Sequence, residues 1–221
     1  MSIISDNIGH LKSQLSPAVK LIAVSKTKPV SDITEAYNSG QRYFGENRVQ
    51  ELLNKKELLP EDIEWHLIGH LQSNKVRNIV PFISMIQSID SYRLLVAVNL
   101  EAFKIGKVVD CLLQIHIAAE VTKFGFSMHE LSETLQSDDV LNLRNVRICG
   151  VMGMATFTSD TDQVRKEFRY LRDCFQKLKD SFFSSVSSFR EISMGMSGDY
   201  KIAVQEGSTM VRIGSLIFGE R

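Results

Sequence analysis

The chain has 221 residues, 43% of them apolar and 24% charged, a profile that suits one sizeable globular core. Its 26 basic and 26 acidic residues cancel, so the charge leaves no footprint of a nucleic-acid binder. No apolar run approaches the roughly 18 residues of a membrane span. Three widely spaced cysteines, Cys111, Cys149 and Cys174, form no C-x-x-C pair and read as buried small hydrophobes in a reducing compartment. The N-terminus lacks a signal-peptide pattern, so a cytoplasmic location is expected.

Taken in chain order, short β-like runs alternate with helical patterns throughout. Ile4, Ile8, Leu11 and Leu15 fall at helical spacing and predict an amphipathic opening helix. Strand one follows at Val19–Val24, then a helix bearing Ile33, Ala36 and Tyr37 that Gly40 ends. Arg42–Phe44 is the second strand, Val49, Leu52 and Leu53 mark a helix, and Ile63–Ile68 is the third strand. Ser73 is expected to cap a helix that stops before Pro81, ahead of strand four at Phe82–Ile89.

Tyr92–Phe103 reads as a helix, Val108–Ile117 as strand five, Leu131 and Leu135 as parts of a short helix, and Val146–Met152 as strand six. The clearest helix carries Val164, Phe168, Leu171, Phe175 and Leu178. Its other face, with Arg165, Lys166, Arg169, Arg172 and Lys179, reads as solvated. Strands at Phe189–Ile192 and Thr209–Ile213, separated by a short helix around Lys201–Val204, complete the series. Eight such units imply parallel pairing with right-handed crossovers. A doubly wound sheet would give the same alternation. The helix before strand one, and polar Gly-rich segments after many strands, favour a single (β/α)8 TIM-type barrel with an extra N-terminal helix, spanning residues 1–221.

Two places stand out chemically. Ile22, Val24 and Lys26 share one face by the two-residue period, so an inward face would carry the Lys26 amine into a poorly hydrated interior. Desolvation lowers a lysine pKa, and a neutral amine attacks an aldehyde. A surface lysine at a strand end is the plainer alternative, and Lys28, beside Pro29, reads as a rim residue. The loops Ser193-Met194-Gly195-Met196-Ser197-Gly198-Asp199 and Arg212-Ile213-Gly214-Ser215 end strands seven and eight, where barrels commonly bind phosphate. Glycine allows close backbone approach, and Ser193, Ser197 and Ser215 add hydroxyl donors, though turns use the same residues. Together they suggest a phosphorylated aldehyde such as pyridoxal 5′-phosphate; a Schiff-base aldolase would use similar parts. His66, between Trp65 and Leu67, reads as a core histidine rather than a metal ligand. Met152, Met154, Met194 and Met196 read as gap-fillers around the site. Glu46, after a strand-end Gly, is read as favouring a helix N-terminus.

Five segments in order carry a family resemblance: Ala23-Val24-Ser25-Lys26-Thr27-Lys28-Pro29, Phe44-Gly45-Glu46-Asn47, Trp65 to Lys75, Ser193-Met194-Gly195-Met196-Ser197, and Gly207 to Gly214. Over nearly its whole length the chain resembles the pyridoxal phosphate homeostasis proteins, stand-alone relatives of the alanine racemase N-terminal barrel. The resemblance implies that Lys26 forms the internal aldimine with pyridoxal 5′-phosphate. It implies that Ser193, Ser197, Gly214 and Ser215 bind the phosphate, that Asn47 is a polar contact near the cofactor, and that Arg212 partners the pyridine nitrogen. A guanidinium donates to that nitrogen without protonating it, which leaves the ring a weak electron sink. The segment Gln114-Ile115-His116-Ile117 with Thr122-Lys123-Phe124-Gly125 departs from many relatives and is unassigned.

A carrier in vitamin B6 homeostasis, without catalytic turnover, is therefore expected, and a racemase of the alanine racemase type is the alternative. Racemases of this kind take a second base, a tyrosine, from another domain. This chain ends at Arg221, seven residues past Gly214, and Tyr200 is the least implausible substitute. Apo forms of enzymes that use the cofactor are candidate partners, nucleic acid and membrane are not, and a monomer is expected.

Overall fold

The computed structural model describes residues 2–120, 124–137, 140 and 142–220; Thr122 and Lys123 of the unassigned segment lie outside them. Eight parallel strands close into a barrel in sequence order: β1 (Lys20–Val24), β2 (Tyr43–Glu46), β3 (Glu64–Leu67), β4 (Met85–Ile89), β5 (Val109–Gln114), β6 (Val146–Met152), β7 (Glu191–Ser193) and β8 (Met210–Ile213). β8 pairs back onto β1, with Ile22 level with Arg212. Around the barrel lie α1 (Ile3–Gln14), α2 (Val30–Asn38), α3 (Val49–Lys56), α4 (Val76–Ile79), α5 (Tyr92–Lys104), α6 (Met128–Gln136), α7 (Thr161–Ser181), α8 (Tyr200–Gln205) and α9 (Ser215–Phe218). The expected barrel and its opening helix are both present. Among the described residues no helix is long and apolar enough to cross a membrane.

The two-residue period of the strands divides the buried residues into two cores. Leu21, Ala23, Phe44, Leu67, Ile86, Leu113, Val151 and Val211 face outward, under the helices. Ile22, Met85, Leu112, Cys149, Met152 and Met210 face inward and fill the barrel, with Tyr43 and Met154 against them. Met152 and Met154 thus pack inside as expected, whereas Met194 belongs to the outer core. Cys149 and Met152 are three apart yet both face in, because a bulge at the β5–β6 pairing resets the alternation. The bulge requires Gly150: at φ 151°, a Cβ there would lie 1.8 Å from the Glu191 carbonyl oxygen.

The helices follow from their apolar stripes and caps. Ser2 and Ser91 cap α1 and α5 through their side chains, and Ser127 with Glu130 forms a capping box on α6. α7 buries Val164, Phe168, Leu171, Cys174 and Leu178. Two helix expectations are corrected. Ser73 opens a 3₁₀ turn at Ser73–Lys75 and does not cap it; the helix proper begins at Val76 and ends before Pro81. The basic face of α7 is only partly solvated: Arg165, Arg169 and Arg172 converge on the buried Glu206 at 2.6, 3.0 and 3.4 Å. Burial pushes the Glu206 carboxyl up, but its bonds to Arg165 and Arg169 outweigh that and hold it below the usual range.

Candidate functional site

β1 ends at Val24, and Ser25 to Lys28 form a turn at the C-terminal mouth of the barrel, closed by Lys28 N–H donating to the Ser25 carbonyl at 3.0 Å. Lys26 is half-buried in that turn. Thr27 has φ 65°, in the left-handed region, which costs a β-branched residue about 1–3 kcal/mol. The turn rests on a buried ionic cluster. The Ser25 hydroxyl donates to Glu46 Oε1 at 2.6 Å. The Lys55 ammonium donates to the Ser25 carbonyl, Glu46 Oε1 and Glu51 Oε1, each at 2.7 Å. Glu51 Oε1 also accepts the Thr27 N–H.

Glu46 is therefore no helix-terminus residue. It is the last residue of β2, fully buried, and its Oε2 has no hydrogen-bond partner among the described residues. Burial raises its pKa against the lowering by Lys55 and Ser25. Burial also pushes Glu51 up, but Lys55 and the Thr27 N–H hold it below the usual carboxylate range. Lys28 is tied elsewhere: its amine donates to the carbonyls of Phe218, Gly219 and Glu220 at the end of α9.

Across the interior lies a second polar chain. Arg212, buried on β8, donates from Nη1 to Ser193 Oγ at 2.6 Å and from Nη2 to the Gly153 carbonyl at 2.9 Å. Ser193 donates in turn to Gln87 Oε1 at 2.7 Å, and Gln87 Nε2 lies 2.8 Å from His66 Nδ1. With Gln87 Oε1 accepting, its Nε2 donates, so the His66 ring carries its proton on Nε2. Burial, helped by the charge of Lys20, lowers the His66 pKa to about 3 and keeps the ring neutral. Burial also lowers Arg212 to about 10, which leaves it a cation at neutral pH, with the charge of Asp199 opposing the fall. Both hydrogen bonds of the guanidinium go to neutral oxygens.

Ser193, expected in the phosphate corner, is bonded inside the barrel. It ends β7, fully buried and facing in, with its hydroxyl engaged by Arg212 and Gln87. Ser197, Gly214 and Ser215 do come together at the mouth: the Gly214 N–H donates to Ser197 Oγ at 3.3 Å, and exposed Ser215 starts α9. Gly195, at φ 93°, lets this loop fold onto α8, where a Cβ would meet that of Ala203 at 2.5 Å. Asn47 is half-buried in the bend after β2.

The strand-five segment folds back on itself. Gln114 donates to the Phe124 carbonyl at 2.8 Å and its own carbonyl accepts the Phe126 N–H at 2.8 Å. Phe124 stacks on His70 with ring centroids 4.1 Å apart, and His70 Nδ1 lies 2.8 Å from Asp90. Tyr200 does not stand over the site. It is buried, and its hydroxyl donates to Gln14 of α1 at 2.7 Å.

With this geometry in hand, comparison with known proteins places the chain. Residues 1–221 match the family model described as alanine racemase, N-terminal domain. The chain belongs to this family. Within reach are the pyridoxal phosphate homeostasis proteins of Aquifex aeolicus, 40% identical over 91% of this chain and 87% of that one, and of Homo sapiens, 40% identical over 93% and 78%. PipY of Synechococcus elongatus, solved with PLP bound, is 37% identical and superposes with a TM-score of 0.89 over 98% of this chain and 100% of that one. An alanine racemase from Clostridium difficile, 16% identical, has a TM-score of 0.77 over 99% of this chain and 60% of its own, a likeness of fold alone.

Proposed function

We propose that this chain is a pyridoxal 5′-phosphate-binding protein of intracellular vitamin B6 homeostasis, one cofactor-binding barrel over residues 1–221, holding the cofactor as a Schiff base on Lys26 without catalytic turnover. The observation that carries this reading is the pairing of β1 with β8. Ile22 is level with Arg212, both on the inner face, and Lys26 leaves β1 at the mouth above them. A buried cation bonded only to neutral oxygens fits a partner that offers a lone pair, such as the pyridine nitrogen. The family's homeostasis proteins and the PLP-bound PipY support the same cofactor.

The cofactor supplies an aldehyde and an anionic tail; the chain supplies the rest. Lys26 provides the amine, and Lys28, bonded to three carbonyls, is withheld. Ser197, Gly214 and Ser215 hold the phosphate with hydroxyl and backbone donors, and Asn47 contacts the cofactor's edge. Arg212 donates to the ring nitrogen, while Ser193 is reassigned from the phosphate to the orientation of Arg212. A ring that faces a guanidinium is a poor electron sink, which favours holding over carbanion chemistry. The hydroxyls of Tyr37 and Tyr200 are engaged with Asp62 and Gln14, which favours the carrier over the racemase. The reading includes a cytoplasmic monomer, with apo-enzymes that use the cofactor as recipients.

The test is borohydride reduction of the yellow protein followed by peptide mass spectrometry. A pyridoxyl adduct on Lys26, absent in a folded Lys26→Ala variant, is expected. An adduct on Lys28, or none, overturns the assignment.

A further inference from the structure

We infer that Glu51 and Lys55 of α3 are positioning residues for Lys26, holding the two peptide groups that flank it so that its side chain leaves the barrel wall in one fixed direction. This rests on the reading of Lys26 as the Schiff-base lysine. The residues lie outside the cofactor-binding set named above.

The geometry is specific. The peptide before Lys26 presents the Ser25 carbonyl, and the peptide after it presents the Thr27 N–H. Lys55 Nζ takes the first at 2.7 Å and Glu51 Oε1 takes the second at 2.5 Å. The two side chains also bond each other at 2.7 Å, so one ion pair spans both sides of Lys26. Glu46 Oε1, bonded to Lys55 and to the Ser25 hydroxyl, anchors that pair to β2.

Local sequence does not explain the turn. Thr27 occupies the third position of the Ser25–Lys28 turn with φ 65°, a place that type II turns give to glycine or asparagine. A β-branched residue relaxes from that region unless its surroundings hold it. The Glu51 carboxylate does so through a charge-assisted bond from outside the turn. Were Thr27 to relax, the peptide between Lys26 and Thr27 would rotate and the direction in which Lys26 leaves the wall would no longer be fixed. Fixing it beforehand removes a reorganisation that aldehyde capture would otherwise require.

The experiment compares Glu51→Ala, Glu51→Gln and the double variant Glu51→Ala/Thr27→Gly with the wild type. Three readouts serve: amide exchange of Thr27 without cofactor, the rate of yellow-colour formation with added pyridoxal 5′-phosphate, and the circular dichroism of the bound chromophore. In the wild type, Thr27 should exchange at least about tenfold more slowly than in a free peptide, although its turn is exposed. Glu51→Ala should lose that protection and form colour about tenfold more slowly, with weaker ellipticity per bound chromophore. Glu51→Gln keeps an acceptor oxygen and should recover to within about twofold; the double variant should recover most of the rate, because glycine takes positive φ freely.

Free-peptide exchange of Thr27 in the wild type would overturn the proposal without recourse to any variant. A wild-type rate and ellipticity in Glu51→Ala, with the adduct still on Lys26, would overturn the positioning role alone. A protected Thr27 with no adduct on Lys26 would instead bring down the cofactor reading, and the positioning role with it.

Discussion

Two buried cations lie near β1, Lys55 on α3 beyond its end and Arg212 on neighbouring β8, and the protein treats them differently. Lys55 is surrounded by the carboxylates of Glu46 and Glu51, whereas Arg212 is held by the hydroxyl of Ser193 and the carbonyl of Gly153. The first charge is answered inside the protein. The second has only the more distant charge of Asp199 and is oriented by a relay that runs from Ser193 by way of Gln87 to a neutral His66. On the proposed function, the closed ionic cluster would fix backbone and the cation bonded to neutral oxygens would receive a ligand.

The contrast is broken most directly at Lys55. Lys55→Met leaves the buried Glu46 and the half-buried Glu51 without their cation and should cost about 3–5 kcal/mol of folding stability in urea denaturation. A loss under about 1 kcal/mol would mean that water already reaches the cluster. Arg212→Met should do the reverse: stability holds or rises, while binding of pyridoxal 5′-phosphate weakens by about tenfold to a hundredfold and the absorbance band shifts. Equal destabilisation by the two methionines would erase the distinction between the two cations.

Acid should separate them as well. His66 is kept neutral with a pKa near 3 against 6.5, so the unfolded chain binds its proton first. Stability is therefore full above pH 6.5 and falls as pH drops below it, by about 1.4 kcal/mol per unit. Glu51 has a lowered pKa, so its contribution is present above 4.5 and is lost only as pH falls below that. Denaturation between pH 6.5 and 4.5 should thus flatten in His66→Gln and not in Glu51→Gln. A slope unchanged in His66→Gln would assign the acid loss elsewhere. The smallest effect is expected at the rim: Ser215→Ala should weaken cofactor binding by about 0.5–1.5 kcal/mol in titration, without moving the absorbance band.

The barrel was legible because its signals are local. Strand six matches Val146–Met152 residue for residue, and the stripe of α7 follows its apolar spacing. Side-chain contacts were obscure in the sequence where the partner lies far along the chain. Ser193 looked like a loop hydroxyl, but β7 runs through it, so the period turns it inward to Gln87, 106 residues away. Glu46 looked like a helix-terminal acid because nothing near it announces Ser25 or Lys55. Gln87 and His66 carried an unused signal: polar residues at inward positions of otherwise apolar strands need partners inside the barrel. The arginines of α7 concealed Glu206 in the same way, since charge on a helix face does not reveal what packs against it.

Lys28, withheld from chemistry, has a mechanical consequence. Its ammonium fastens the turn that bears Lys26 to the carbonyl end of α9, whose first residue is Ser215. The turn that bears Lys26 and the helix that Ser215 opens thus belong to one stapled piece of wall. On the proposed function, a cofactor tethered between them would leave when its covalent bond is exchanged, not when a hinge opens.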